Sequence, residues 1–323
     1  MKKALLIACV LSLVVGPVSF AAPSIPHPTV LHSTGAISDG SIMSQPLPAG
    51  KMCLSGNIEY YSPTELVDNS SGDPEWASLS DMNIDSLSEM VLPIRFAYGI
   101  TDNLSVRATL PYVSLSLKGD IGDFSGSGIG DARVEGIYQF MNETDNMPSL
   151  AGNLSIKLAT GKYKDLKDDE IAIGTGGTDV IASVFASKKM GPVVGKAMLG
   201  YEVTGKMTDF SDSLWEFDPS DPVLLSLSCL YPVSADLEIG GELWGSFLGP
   251  DIATLGSDSN VVENSNGTVM WLSPWVSYKV SPAVSVKGVI DYPISVQATN
   301  SFVNGGENQT KGLNLNVGVS WTI

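Results

Sequence analysis

The last eleven residues, Leu313-Asn-Leu-Asn-Val-Gly-Val-Ser-Trp-Thr-Ile323, alternate apolar and polar side chains up to the carboxyl terminus. Successive side chains of a strand point to opposite faces, so this is the pattern of a strand with lipid on one side and water on the other. Leu313, Leu315, Val317, Val319, Trp321 and Ile323 then face outward, and Asn314, Asn316, Gly318, Ser320 and Thr322 face inward. An unpaired terminal strand is a pairing hazard, and closing the sheet into a barrel is the construction that removes its edges. The alternative is the terminal strand of a soluble sandwich.

The amino terminus has Lys2 and Lys3, an apolar run from Ala4 to Val15, Gly16 and Pro17, then Ser19-Phe-Ala21, which fits the small-x-small cleavage rule. Residues 1–21 are therefore expected to be a cleaved signal peptide. A lipoprotein reading at Leu6-Ile-Ala-Cys9 would leave an apolar core shorter than the roughly 7 residues such leaders need. Cleavage removes two lysines and no acids, taking the net charge from -17 to -19. So acidic a chain is a poor partner for nucleic acid. The two remaining cysteines, Cys53 and Cys229, exclude a disulfide framework and fall on opposite predicted faces. No mature segment approaches the ~18 consecutive apolar residues of a membrane helix. Residues 22–50 carry five prolines and both histidines, His27 and His32, without periodicity. They read as a periplasmic arm or a plug, leaving 51–323 for the barrel.

One hairpin recurs three times. Tyr98-Gly-Ile-Thr-Asp-Asn-Leu-Ser-Val-Arg-Ala108, Tyr231-Pro-Val-Ser-Ala-Asp-Leu-Glu-Ile-Gly-Gly241 and Tyr278-Lys-Val-Ser-Pro-Ala-Val-Ser-Val-Lys-Gly288 align without a gap. Each has an aromatic, an apolar residue two on, three turn residues, and an apolar residue that restarts the alternation. A turn this tight makes the flanking strands antiparallel neighbours, and its recurrence indicates a meander. Segmenting at such turns predicts about 12 strands of roughly 10 residues, enough for a tilted strand to cross the hydrocarbon. They include 52–61, 129–141 and 311–323. Short connections (101–103, 142–149, 190–192, 232–236 and 281–283) alternate with long ones (62–85, 118–128, 161–177, 205–221, 249–267 and 298–310). Short periplasmic turns and long outer loops belong to outer-membrane barrels. The expected fold is all-β: a closed, antiparallel, up-and-down transmembrane β-barrel.

The phase of the strands tests that fold, because a charge on the lipid face at mid-membrane costs roughly 2–4 kcal/mol. With each hairpin tyrosine outward, Leu104, Val106, Ala108, Leu110 and Tyr112 point out, while Ser105, Arg107 and Thr109 point in. The same phase places Arg95, Arg107, Arg133, Lys157, Lys196 and Lys287 inside, with Glu135, Glu202, Glu238, Glu242 and Asp291. These charges read either as cross-strand ion pairs that stiffen the wall or as a pore lining that orients polar solutes. Tyr98, Phe140, Tyr231, Tyr278 and Trp321 gather near the short-turn rim, and Tyr112, Tyr201, Phe247 and Tyr292 near the other, as two aromatic girdles. Trp244, Trp271 and Trp275 phase inward on adjacent strands. They form either an aromatic wall for an organic solute or packing against a plug.

Candidate chemistry is sparse. Gly126-Ser-Gly-Ile-Gly130-Asp131 and Gly174-Thr-Gly-Gly177-Thr-Asp179 look like phosphate loops, yet no helical pattern follows either, so they read as loops feeding strands. A barrel hydrolase needs an imidazole base, and 51–323 has no histidine, so no enzyme is expected and no cofactor. A lipid-modifying enzyme would have to bring His27 or His32 from the arm. Acids crowd the long connections: Asp68, Asp73, Glu75, Asp81 and Asp85; Asp165, Asp168, Asp169 and Glu170; Asp209, Asp212, Glu216, Asp218 and Asp221. Without calcium-loop spacing they read as a solvated face, and no metal site is expected.

Several runs resemble known families. Asn316-Val-Gly-Val-Ser-Trp-Thr-Ile323 resembles the C-terminal signal of bacterial outer-membrane barrels, which implies that Gly318, Trp321 and Ile323 are read by the barrel-assembly machinery; Ile323 stands where Phe is usual. Phe96-Ala-Tyr-Gly-Ile-Thr-Asp-Asn-Leu-Ser-Val-Arg-Ala-Thr-Leu-Pro-Tyr112, Gly128-Ile-Gly-Asp-Ala-Arg133, Leu158-Ala-Thr-Gly161 and Gly174-Thr-Gly-Gly-Thr-Asp179 follow in that order. Together they resemble the outer-membrane barrel transporter family associated with the meta-pathway of phenol degradation, with Ala159 where that family has Pro. The resemblance implies passage of aromatic or other hydrophobic compounds.

The expected function is an outer-membrane channel or transporter for a small organic solute, passing acidic loops, the three tryptophans and the mixed-charge lumen. The partners expected are outer-membrane lipid, lipopolysaccharide, the assembly machinery and the solute. The competing expectation is a closed structural or adhesion barrel whose acidic loops bind cations or lipopolysaccharide.

Overall fold

The computed structural model describes residues 44–68, 75–120, 122–167, 169–208, 215–255, 258–261, 265–296 and 310–323. The leader, residues 22–43 of the arm with both histidines, and Asp73, Asp168, Asp209 and Asp212 lie outside the described residues.

The chain runs through β1 (Met52–Asp68), β2 (Glu75–Ser78), β3 (Ile84–Thr101), β4 (Leu104–Gly119), β5 (Phe124–Ile129), β6 (Arg133–Met141), β7 (Ser149–Lys157), β8 (Asp179–Met190), β9 (Val193–Val203), β10 (Met207–Thr208), β11 (Trp215–Asp218), β12 (Val223–Pro232), β13 (Leu237–Leu248), β14 (Ile252–Leu255), β15 (Asp258–Val261), β16 (Gly267–Lys279), β17 (Val284–Val296) and β18 (Thr310–Thr322). Twelve of them form the wall, in the order β18-β17-β16-β13-β12-β9-β8-β7-β6-β4-β3-β1, and β18 pairs back onto β1. Every pairing in the wall is antiparallel, so the fold is a closed up-and-down barrel.

The closing seam runs from Cys53 opposite Thr322 to Leu66 opposite Thr310, with one irregularity between Pro63 and Glu65. Side chains on the inner face stitch it. The Asn57 amide donates to Asn316 Oδ1 across the seam (3.0 Å) and to Glu59 Oε1 (2.6 Å). Arg95 of β3 donates to Asn57 Oδ1 and lies 3.6 Å from the Glu59 carboxylate. Gly318 sits opposite Asn57, where a Cβ would come within 2.9 Å of the Asn57 Cβ.

The repeated hairpin keeps one register in all three copies. Tyr98 faces Val106, Tyr231 faces Ile239 and Tyr278 faces Val286, each the residue eight places on. That phase puts large apolar side chains on the outer surface: Ile58, Leu110, Leu154, Val184, Leu227 and Val317 are all exposed there. An apolar surface this continuous is incompatible with water and suits lipid. The nine tyrosines, phenylalanines and tryptophan of the two girdles are exposed on the same side. The inner face alternates with it and is buried, as along β8, where Asp179, Ile181, Ser183, Phe185 and Ser187 are all covered.

The connections expected to be long are more ordered than plain loops. β1 continues to Asp68 and pairs with β2, while β3 and β4 stay paired up to Ile84 opposite Gly119, so the described part of 62–85 is mostly strand. The strand expected over 129–141 starts at Arg133, because residues 124–129 fold back on β4 as β5. β10 and β11, from the connection after β9, join β14 and β15, from the connection after β13, in a separate four-stranded sheet. Asp251 ties the two connections further, accepting from the Ser220 N–H (2.9 Å) while its own N–H donates to Ser265 Oγ (2.7 Å). These strands escape a sequence reading because they are too short for a period, and their partners lie in another connection.

Val317 is exposed at the middle of the seam, opposite Ile58. Val317→Arg is expected to destabilise the folded barrel by roughly 2–4 kcal/mol, and Ser320→Arg, on the inner face nearer the short-turn rim, by less. Urea titration in lipid vesicles, read by the mobility shift between unboiled and boiled samples, measures both.

Candidate functional site: the barrel interior

The inner wall carries a band of buried ion pairs and a cluster of packed rings. In the band, Arg133, Lys157 and Asp179 occupy directly opposed positions on β6, β7 and β8. Two cations facing each other repel, and the conflict is relieved because Lys157 turns to its other side. Its ammonium pairs with Asp179 and donates to Thr175 Oγ1 at 2.8 Å. One layer nearer the short-turn end, Arg107 Nε lies 2.5 Å from Glu135 Oε1, which stands opposite it in register. Arg95, Asn57 and Glu59 continue the band to the seam. All these charged groups are buried, so each depends on its partner: an ion taken out of water and left alone costs several kcal/mol. Glu202 is fully buried beside this band.

In the ring cluster, Trp244 and Trp271 face each other in register and stack, with ring centroids 6.0 Å apart and planes 8° from parallel. Tyr61, reaching over from β1, meets Trp271 edge-on at 6.5 Å. With Val269 these rings form a buried cluster, and the Trp244 indole N–H donates to Ser273 Oγ at 3.2 Å. Offset stacked and edge-on pairs are the favoured ring arrangements, adding ~0.5–1.5 kcal/mol beyond burial. Trp275 faces inward on the same strand as Trp271 but outside this buried cluster, with the Lys287 ammonium 4.1 Å from its ring centre, a cation–π contact, and with its indole over Gly240. A Cβ at Gly240 would lie 2.2 Å from Trp275 Cζ2 and 2.5 Å from the Cys229 carbonyl oxygen.

The other candidate residues scatter around this frame. Glu242 accepts from the Ser226 hydroxyl, and Asp291 accepts from the Asn314 amide at 2.8 Å. Glu238 lies at the short-turn rim, 3.7 Å from the exposed Lys279 ammonium. Lys196 donates to Ser44 Oγ at 3.3 Å. That contact belongs to the described end of the arm, residues 44–50, which lies against the inner wall at the short-turn end. The Leu47 N–H donates to Ser105 Oγ (2.7 Å), the Ser105 hydroxyl returns to the Leu47 carbonyl (3.2 Å), and the Ala49 N–H meets Asp102 (3.0 Å). Leu47 and Cys53 pack on an inward apolar cluster of Ala97, Ile137, Phe185, Met198 and Leu224 among others. Cys229 faces outward and is exposed, so the two cysteines stand on opposite faces and are unbonded.

Several described acids of the long connections are engaged close by. Glu170 takes both Lys162 (2.6 Å) and the Lys167 N–H (3.1 Å), which hold its carboxyl below the usual range. Lys206 bridges Glu216 (2.5 Å) and Asp218 (3.6 Å), which push its ammonium up. Asp221 accepts from the Thr204 N–H (2.9 Å) and from the Tyr201 hydroxyl (3.1 Å).

Sequence reasoning missed Asn57, Glu59 and Tyr61, whose alternation with exposed Ile58 and Tyr60 was available in the first strand. It also left Asp179, just beyond the long connection 161–177, out of the inner charges; the residue is the first of β8 and the partner of Lys157.

Chemically, the described interior offers paired charges, hydrogen-bonding groups and a cluster of ring faces.

A protein-family model described as "Putative MetA-pathway of phenol degradation" matches residues 79–323. Among solved structures, an outer membrane channel from Pseudomonas putida F1 superimposes with a TM-score of 0.69 at 16% identity, covering 87% of this chain and 98% of that one. The NanC porin follows with 0.49 at 12% identity, covering 83% and 98%. The translocator domain of the autotransporter NalP from Neisseria meningitidis gives 0.48 at 10%, covering 85% and 89%. At these identities the likeness is one of fold. No curated protein matches the chain.

Breaking the Arg107–Glu135 pair on one side, by Glu135→Leu, is expected to destabilise the barrel by about 3–5 kcal/mol, because it strands a buried guanidinium. Arg107→Met with Glu135→Leu together is expected to restore most of that loss, measured by the same urea titration. Gly240→Ala is expected to displace the Trp275 indole and shift the tryptophan emission spectrum.

Proposed function

We propose a function from the premise that this chain belongs to the family of the MetA-pathway of phenol degradation: it is an outer-membrane channel for small organic solutes, aromatic or otherwise hydrophobic, entering from the long-loop end. The observation that carries this reading is the inward ring cluster of stacked Trp244 and Trp271 with Tyr61 in a wall that otherwise holds many buried polar and ion-paired groups. Inward aromatic faces beside polar groups suit a solute with an aromatic body and a polar group. The solved relative that superimposes best of the three above is described as a channel, which agrees with it.

In this reading the long connections face the outside and the short turns the periplasm, since both described ends of the chain then lie on the periplasmic side. The alternating outer face meets lipid, the girdles sit at the two interfaces, and the loops stand among lipopolysaccharide. Gly318, Trp321 and Ile323 present the terminal strand to the assembly machinery before β18 closes on β1. The solute passes the long-loop mouth, contacts Trp244, Trp271 and Trp275, and moves along Arg95, Arg107, Arg133, Glu135, Lys157, Lys196, Glu238, Glu242, Lys287 and Asp291. The arm restricts the periplasmic exit, with Leu47 seated on the inner apolar cluster.

The near-complete burial of the inner face favours a second reading, a closed structural barrel. Deleting residues 22–50 separates the two. A channel restricted by its arm gains conductance in planar bilayers and faster liposome swelling with small aromatic alcohols. Trp244→Ala is expected to reduce permeation of the aromatic solutes more than that of sugars of similar size. No conductance in either form, with the barrel folded, rejects the channel.

A further inference from the structure

We infer that Asp131 is the positioning residue of a constriction at the long-loop end, formed by the connection between β7 and β8 folded back into the barrel. The inference rests on the channel reading for its purpose, but its geometry stands apart from it.

One carboxylate pins both ends of the returning segment. Asp131 Oδ1 accepts from the Gly161 N–H at 2.9 Å, and Oδ2 accepts from both the N–H and the hydroxyl of Thr175, each at 2.9 Å. Thr160 adds a clamp on the same stretch, accepting from the Ala132 N–H (2.8 Å) and donating to the Gly130 carbonyl (2.9 Å). The neck so formed is closed by direct backbone contact: a Cβ on Gly161 would lie 2.7 Å from the Gly174 Cα, and one on Gly174 would lie 2.6 Å from the Gly161 Cα. The three glycine-rich runs around residues 128, 161 and 174 thus meet in one node. Only residues without side chains let the strands of the neck touch.

Beyond the neck the segment turns inward. Ile171, Ala172 and Ile173 are buried in one cluster with Val91, Val113 and Leu115 on the inward faces of β3 and β4. The Ser125 N–H donates to the Asp169 carbonyl (3.0 Å), and the Ile171 N–H to the Ser125 carbonyl (2.9 Å), fastening the tip to β5. Lys162 and Glu170, by contrast, remain on the exposed side. An apolar tip held inside and a charged back left outside make a lip across the mouth. The number of separate fastenings, three of them to a charged acceptor, distinguishes it from a lid, so spontaneous opening is rare. The lip therefore sets a size limit on what enters.

The test reads access past the lip independently of conductance. Ser277 is half-buried on the inner face of β16, toward the short-turn end from the lip. In a Cys53→Ser, Cys229→Ser background carrying Ser277→Cys, intact cells are exposed to a small and a bulky membrane-impermeant maleimide. Asp131→Ala, which removes three charge-assisted hydrogen bonds, is expected to speed labelling by the bulky reagent at least about ten-fold, the change that loss of even one produces. Labelling by the small one should change less. Thr175→Val should act in the same direction and Thr175→Ser, which keeps the hydroxyl, should match the parent. The unboiled mobility of each variant checks that the barrel has folded, and Thr175→Val carries the test should Asp131→Ala not fold. Unchanged bulky-reagent labelling in the folded variants overturns the proposal. A labelling change without conductance in the parent or in the arm deletion sinks the channel reading and leaves the constriction standing.

Discussion

Everything in this molecule depends on the pairing of β18 with β1. In hydrocarbon a backbone N–H or C=O without a partner costs several kcal/mol, and a sheet satisfies all of them only if its first and last strands meet. The meeting here joins residues more than 250 positions apart in sequence, as Asn57 and Asn316. Such a contact carries a large loop-closure cost, so it forms late and needs reinforcement. The reinforcement is on the inside, where Arg95, Asn57, Glu59 and Asn316 form one hydrogen-bonded group straddling the seam.

The same closure explains why the interior holds so much charge. Once half of every strand must be apolar toward lipid, the other half faces a lumen where polar groups are tolerated only in pairs. The register set by the hairpins decides who pairs with whom. Arg107 meets Glu135 because the strands on which they lie are directly opposed, and Lys157 meets Asp179 for the same reason. Where register brings like charges together, as at Arg133 and Lys157, a second connection supplies the relief: Thr175 comes from the returning segment. Stability of the wall and shape of the passage are therefore set by the same contacts, and neither can change without the other.

How legible this was depended on distance along the chain. The turn at Tyr231 and its two counterparts announced three hairpins correctly because a turn and its strands are local. Inward charge and outward aromatic residues followed from period two alone. Glu59 and Tyr61 were readable in principle, but the strand that carries them has no hairpin tyrosine to set its phase. Period two set Trp275 on the inner face with Trp244 and Trp271, but facing inward says nothing about rotamer: Gly240 gives the Trp275 indole its own recess. The strands β10, β11, β14 and β15 were invisible because each is short and pairs outside its own connection.

The amino-acid sequence by itself determined the barrel, its phase, its meander order and the sign of each inner charge, because these follow from strand periodicity and from the cost of charge in lipid. Only the tertiary structure decided what those residues do together. It chose which carboxylate neutralises which cation, stacked two tryptophans and set the third aside, seated Leu47 in the short-turn end and folded Ile171 and Ile173 into the other. Each of these is a contact between segments far apart in the chain, selected by the closed wall that brings them within reach. Local patterns carry no information about that selection.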